Sequence, residues 1–368
     1  MKKAIIFPGK YIQGEGVLAE LGSIIAPMGC KKPLIAWGSH TKAAAADVVL
    51  PGLAENGLDY YDYHFGGECT KEAAHEIADA AKANGCDIIV GLGGGKCLDV
   101  TKGAAVFAGL RVISCPTLCS NDSPTSACTV WYDEEGTMLG FDLWPNNPDA
   151  VVVDTGIIVK APERTLKAGL GDALATYLEA AASNASHAVT CAGGAPTMTV
   201  MAMAKLCYDT ILQDSDAALL AREAGHVTPA FERIVEACNL LSGIGWESGG
   251  LATAHQIGNL ITAFPETHPY MHGEKVAFGI ITQLMLDMDF DPVEADMIID
   301  FMIDHDLPVT LADIGLGEVT DEALMEFCVN NTGAGSFCSN HNFPVEARDL
   351  FNAMKAADVY GKARKADI

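Results

Sequence analysis

The feature that most constrains this chain is the alternation, through its first 155 residues, of short apolar runs with amphipathic stretches. The runs "PLIAWG" at 33–38, "LDYYDYHF" at 58–65, "DIIVGLGG" at 87–94 and "RVISCPT" at 111–117 have the length and composition of strands. Segments such as "TKEAAHEIADAAKANG" between them carry a helical period. Strands that return through helices form a parallel sheet, and such a sheet is covered by helices on both faces. Three further runs, "ACTVWYD", "MLGFDLW" and "DAVVVDT", read as strands, the first two as a hairpin around "EEG". After Pro162 the pattern changes to long helical stretches rich in Ala, Leu, Ile and Met, with almost no strand-like run. The expected architecture is an α/β domain over residues 1–161 and an all-α domain over 162–368. The boundary falls near "KAPERT", and a small-molecule site is expected in the cleft between the halves.

Composition narrows the function classes. With 368 residues, 49% of them hydrophobic, the chain can bury the cores of two domains. A formal net charge of −25 argues against nucleic acid or an anionic membrane surface as partner and points to a neutral or small substrate. The opening "MKKAIIFPGK" has only a short apolar run before Pro8, unlike a signal peptide, and no apolar stretch reaches spanning length. The 12 cysteines are scattered without a CxxC pair and read as reduced thiols of a cytoplasmic protein. Cys115 and Cys119, four apart, give little support to a metal or redox role.

Two loops are candidates for cofactor contact. "GLGGGKCLDVTKGAA", from Gly91, follows a strand and opens a helix. Its glycines let the backbone approach a phosphate, and the free N–H groups of the helix start favour an anion. The pattern departs from G-x-G-x-x-G, because Lys96 stands at the sixth position. The alternative is a tight strand-to-helix turn, which would need neither Lys96 nor Asp99. The second loop, "CPTLCSNDSPTSACTVWY" from Cys115, is dense in hydroxyls suited to a ribose or carboxamide, and Asp122 lies at its middle. Ser, Asn, Asp and Pro are equally the residues of an ordinary turn.

The remaining candidates are metal ligands. Asp172 in "GLGDALATYLEA" either favours the positive end of its helix or is buried against something positive. Of ten histidines, His255 lies in the small-residue run "GGLATAHQIGNL", and His272 precedes Gly273 and Glu274 at a loop-to-helix junction. Two imidazoles and a carboxylate make a zinc site with an open fourth position. A helical histidine is also a common core residue. His268 and His272 are four apart, but Pro269 argues against a continuous helix between them. Spacing alone does not join Asp172 to His255.

Taken together, "FPGKYIQGEG", "FGGEC", "GLGGGKCLDVTK", "CPTLCSNDSPTSA", "GLGDALATYLEA", "SGIGWESGGLATAH" and "THPYMHGEKVAFG" resemble the glycerol dehydrogenases of the iron-containing alcohol dehydrogenase superfamily along nearly the whole chain. The resemblance implies an N-terminal dinucleotide-binding α/β domain and a helical C-terminal domain of the dehydroquinate synthase-like fold, in cytoplasmic homo-oligomers that are often octamers. It matches Asp172, His255 and His272 to three metal ligands. Gly38, Gly94, Gly95, Lys96, Asp99, Thr117, Ser120, Ser126, Cys128 and Tyr132 match dinucleotide contacts, and Asp122 matches a polyol-binding residue. Iron-using relatives place a histidine where this chain has Thr176, which favours Zn²⁺. The implied reaction moves a hydride between a small polyol, glycerol to dihydroxyacetone, and NAD.

Two departures keep alternatives open. Gly38 stands where the family carries an aspartate for the ribose 2′-OH, which leaves NADP open as well as NAD. Gly258 replaces a histidine expected to face the active site, so its loss should enlarge or depolarise the pocket. A same-fold enzyme for another 1,2-diol or a hydroxyaldehyde is therefore the nearest rival. A dehydroquinate synthase-like lyase would need a Lys- and Arg-rich pocket that the helical half does not supply, and a non-catalytic oligomer would have no use for an intact ligand set.

Overall fold

The computed structural model describes residues 1–287 and 291–367. Among the described residues there are eight strands: β1 (Tyr11–Gly14), β2 (Pro33–Trp37), β3 (Tyr61–His64), β4 (Ile88–Gly93), β5 (Arg111–Pro116), β6 (Cys128–Tyr132), β7 (Met138–Leu143) and β8 (Ala150–Asp154). Six form a sheet in the order β1-β8-β5-β4-β2-β3, every pair parallel. β6 and β7 make a separate antiparallel hairpin. The expected strands are all there; the addition is β1, whose polar "YIQG" has no strand-like run and which pairs with β8 at the sheet edge.

Burial follows position in the sheet. The inner strands β2 and β8 are buried at every residue, whereas the edge strand β3 alternates half-buried tyrosines with exposed Asp62 and His64. Ile35, Trp37, Val90, Leu92 and Val152 pack on one face against Ala45, Val49 and Leu53 of helix α1 (Thr41–Glu55). Leu34, Ala36 and Ile89 pack on the other against α2 (Lys71–Ala83) and α3 (Gly95–Ala108). Glycines in β4 permit the close approach of α3, since a Cβ at Gly91 would strike Thr101 Oγ1 and one at Gly93 would lie 2.6 Å from Cys97 Cβ.

The later helices are α4 (Glu163–Ser186), α5 (Met198–Ala224), α6 (Pro229–Glu236), α7 (Ser242–Gly249), α8 (Thr253–Leu260), α9 (His272–Leu286), α10 (Pro292–Asp304), α11 (Asp321–Asn331) and α12 (Ala347–Asp367). Among the described residues no named strand follows β8. No helix of the described residues is long and apolar enough to cross a membrane.

The chain forms two compact units, neither of them continuous. One comprises Phe7–Leu166 and Asp214–Gly243, the other Met1–Ile6, Lys167–Gln213 and Ile244–Ile368. A single cut at 161/162 therefore does not describe the packing. Residues 1–6 join the helical unit through the Lys3–Ala195 bridge and the Ala195 N–H bond to the Lys2 carbonyl. Residues 214–243 join the sheet unit, where Glu232 accepts from Gln13 Nε2 at 2.6 Å and from Thr155 Oγ1 at 2.7 Å. All 12 cysteines are free and 11 are buried, as expected for reduced thiols. Burial pushes Cys97 and Cys191 up to about 12 and Cys338 up to about 11, which suppresses thiolate chemistry at neutral pH.

Candidate metal centre and dinucleotide contacts

Within the helical unit, Asp172 of α4, His255 of α8 and His272 of α9 each offer one ligand atom, all within 4.8 Å of one another. Glycine makes that convergence feasible. A Cβ at Gly171 would lie 2.7 Å from the Gly273 carbonyl oxygen, and one at Gly273 would run into the Ala168 carbonyl. The backbones of α4 and α9 thus touch beside Asp172 and His272. Helices α8 and α9 approach equally closely, because a Cβ at Gly258 would lie 3.1 Å from the backbone of Val276, and one at Gly279 would overlap the Ala254 carbonyl.

The aspartate is fully buried, His255 is 3% exposed, and the His272 side chain is 24% exposed, so His272 marks the accessible side. One carboxylate oxygen, Asp172 Oδ1, lies 3.3 Å from His255 Nε2 and 3.2 Å from His272 Nε2. Burial alone would raise the Asp172 carboxyl, but the His272 and His255 rings outweigh it and hold the group below the usual carboxylate range. Burial likewise opposes charge on His255, yet the Glu179 and Asp172 carboxylates hold that ring well above its ordinary value.

The donor set fits a divalent cation. His255 Nε2 is buried and makes no hydrogen bond to the described residues, while its Nδ1 bonds Glu179 Oε2. In the neutral ring with its proton on Nδ1, Nε2 would meet the carboxylate oxygen as a second acceptor, an arrangement that a bound cation resolves. Thr176 is buried one turn beyond Asp172 and packs so closely on α7 that a Cβ at Gly245 would collide with its methyl group. That position offers no third imidazole. His268 bonds the Thr262 carbonyl at 2.9 Å and is not in the cluster. Gly258 lies at the α8–α9 crossing, so the space beside it is filled by Val276 and is not the enlarged pocket anticipated from the sequence. Glu179, missed in the sequence, has one readable signal: it lies two turns beyond Asp172 on the same face of α4.

In the sheet unit, Gly94 precedes α3 in extended conformation and leaves the first amides of the helix without a side-chain cap. Lys96, on the first turn, lies 2.5 Å from Glu68 Oε1. A Cβ at Gly95 would strike the Asn121 amide, so the glycine loop and the turn after β5 lie in contact. Thr117 donates its N–H to the Gly93 carbonyl. Gly38, at the end of β2, bonds the Leu92 carbonyl at 2.8 Å and sits beside Gly93. Ser120 is half-buried in the turn, Cys128 is buried on β6, and Tyr132 donates its N–H to the Cys69 carbonyl.

Asp99 is committed within the protein. Its Oδ1 lies 2.9 Å from Lys102 Nζ and its Oδ2 accepts the Val130 N–H at 2.9 Å, so it ties α3 to β6. Lys102, only 2% exposed, also reaches the Ser123 carbonyl and Ser126 Oγ at 2.8 and 3.0 Å. It therefore pins the polar turn to α3. Asp122 is 6% exposed and accepts from Ser242 Oγ at 2.8 Å. Ser242 follows a π-helical turn, Ala237–Leu241, whose Asn239 donates to Cys119 Sγ and accepts through its carbonyl from Thr125 Oγ1. The turn after β5 is thus built partly by residues 120 positions later.

A parallel α/β unit combined with a helical unit defines the class by its fold, the dehydroquinate synthase-like fold, and the relatives make it an oxidoreductase of that fold. The iron-containing alcohol dehydrogenase profile matches residues 8–155. An Escherichia coli glycerol dehydrogenase is 40% identical over 98% of each chain. A Halobacterium salinarum glycolaldehyde reductase is 40% identical over 84% of each. The crystal structure of a probable glycerol dehydrogenase from Sinorhizobium meliloti superposes with TM-score 0.92 at 36% identity, covering 98% of this chain and all of the other. This chain belongs to the iron-containing alcohol dehydrogenase family, with glycerol dehydrogenases among its relatives.

Proposed function

We propose that this chain oxidises a small polyol, glycerol to dihydroxyacetone first among them, with zinc at Asp172, His255 and His272 and NAD as hydride acceptor. The observation that carries the reading is the buried cluster in which Asp172, His255 and His272 each bring one ligand atom within 4.8 Å of the others. Zinc is chosen because three protein ligands and an open position suit it, and because Thr176 supplies no further imidazole. A bound divalent ion would lower the pKa of a polyol hydroxyl, and bound NAD would take the hydride. Asp122, oriented by Ser242, accepts a hydrogen bond from a substrate hydroxyl. The α3 amides behind Gly94 and Gly95 receive the pyrophosphate, with Lys96, Thr117, Ser120, Ser126, Cys128 and Tyr132 as further contacts.

A second reading, reduction of a hydroxyaldehyde with NADP, is favoured by Gly38, where no carboxylate stands to repel a 2′-phosphate. Asp62 on the neighbouring strand is engaged by Trp37 Nε1 at 2.5 Å and by Lys42. We further propose a cytoplasmic homo-oligomer, octameric like the family it resembles. The exposed apolar row Leu139, Phe141 and Leu143 on β7 supports association.

The test is the initial rate of zinc-loaded protein with glycerol, 1,2-propanediol and dihydroxyacetone, each with NAD(H) and NADP(H). Glycerol turnover with NAD is expected, and it should disappear on chelation and return with zinc. Full activity of metal-free protein, or of Asp172→Asn with unchanged metal content, would overturn the reading.

A further inference from the structure

We propose that Glu179 is the positioning residue of the metal centre: it fixes the proton of His255 on Nδ1 and so keeps Nε2 available as a ligand. The inference rests on the preceding assignment of the cluster as a cation site. Glu179 is fully buried on α4. Its Oε1 accepts the Ala252 N–H and the His255 N–H, each at 2.8 Å, and its Oε2 bonds His255 Nδ1. Ala252 is the residue before α8, and its own side chain gives no cap. One carboxylate therefore holds the start of α8 from outside the helix and fixes the ring of the ligand one turn further on. Two backbone donors and one ring nitrogen all point at an ion that can only accept, so the ring proton belongs on Nδ1. In the neutral ring this leaves the lone pair on His255 Nε2, 3.3 Å from Asp172 Oδ1. In metal sites generally, a carboxylate behind a ligating imidazole fixes tautomer and orientation, and its loss costs about 10–100-fold in metal affinity.

The discriminating variant is Glu179→Gln. Its amide oxygen can still accept the two backbone N–H groups, but its NH₂ meets Nδ1 as a donor and drives the ring proton to Nε2, toward the metal. The structural bonds survive while the tautomer is inverted. Zinc affinity of purified wild type and variant would be measured by competition with a chromophoric chelator, with thermal unfolding of the metal-free proteins alongside. The expected result is an affinity loss of about 10–100-fold with unfolding temperatures within a few degrees of each other. Equal affinities would overturn the proposal and leave Glu179 as a helix cap alone. A wild type that binds no zinc would instead overturn the cation-site reading itself.

Should Glu179→Gln fail to fold, the cobalt(II)-loaded wild type decides. A contact-shifted, slowly exchanging ring N–H resonance that disappears in His255→Gln is expected. Absence of such a protected proton would overturn the assignment.

Discussion

Ser242 Oγ donates to Asp122 Oδ2 at 2.8 Å, joining the turn after β5 to the end of a π-helical turn 120 residues later. Both residues are buried, so the bond fixes the aspartate in a setting where water cannot replace it. Ser242→Ala removes about 1 kcal/mol of orientation, which corresponds to about a fivefold rise in KM for the polyol with little change in KM for the dinucleotide. Steady-state kinetics with each substrate varied in turn would check this. Equal changes in both constants would show that the serine supports the turn as a whole.

Gly258 tests how closely α8 and α9 must approach. Alanine gains about 1 kcal/mol of helix propensity over glycine. Its Cβ would however lie 2.5 Å from Val276 Cγ2 and 3.1 Å from the Val276 backbone, and overpacking costs about 1–3 kcal/mol. The clash should win. Gly258→Ala is expected to lower the urea midpoint, and Val276→Ala in the same chain should restore part of it. A more stable single variant would mean that α9 can move away without loss.

The space beside Gly38 admits a side chain with only a small adjustment, since a Cβ there would lie 3.3 Å from Thr41 Oγ1 and 3.4 Å from Gly93 Cα. Gly38→Asp places a carboxylate where it accepts from a ribose 2′-OH and repels a 2′-phosphate. The ratio of kcat/KM for NAD to that for NADP is expected to rise at least about tenfold, equal to about 1.4 kcal/mol. An unchanged ratio would separate this strand end from the adenosine ribose.

Acid stability has a predictable contributor in Asp214, whose carboxyl is held below the usual range by two hydrogen bonds from Arg233, each 2.7 Å. A depressed carboxylate binds fewer protons folded than unfolded, so its stabilisation is complete above the ordinary aspartate value. It is lost as the pH falls through the lower, folded-state value. The effect is modest, because the Arg233 side chain is half exposed and salt screens the pair. The difference in unfolding temperature between wild type and Asp214→Asn should be largest near neutral pH and should shrink on acidification. A difference that grew toward low pH would reverse the assignment.

The sheet unit was legible because its signals are local. A parallel strand buried on both faces reads as a continuous apolar run, and β2, β4, β5 and β8 each carry one. The short polar strand β1 was not legible, since only its partner β8 makes "YIQG" a strand. The cluster was half legible. Its three residue types and the glycines beside them are visible in the sequence, and the family resemblance grouped them, but no period joins residues 172, 255 and 272.

Sequence alone determined the alternation that demands a parallel sheet, the helical character after Pro162 and the chemistry available at the carboxylate and imidazoles. Tertiary structure decided which of these meet. Backbone contacts at Gly171, Gly273 and Gly258 bring three helices together around Asp172, His255 and His272, and Glu179 holds the His255 ring at Nδ1. It also placed residues 214–243 with the sheet and filled the space beside Gly258 with Val276. The physical reason is the range of the forces. Strand and helix periods arise from sterics and burial within a few residues, whereas the approach of two helices depends on the small residues of both and is written in neither alone.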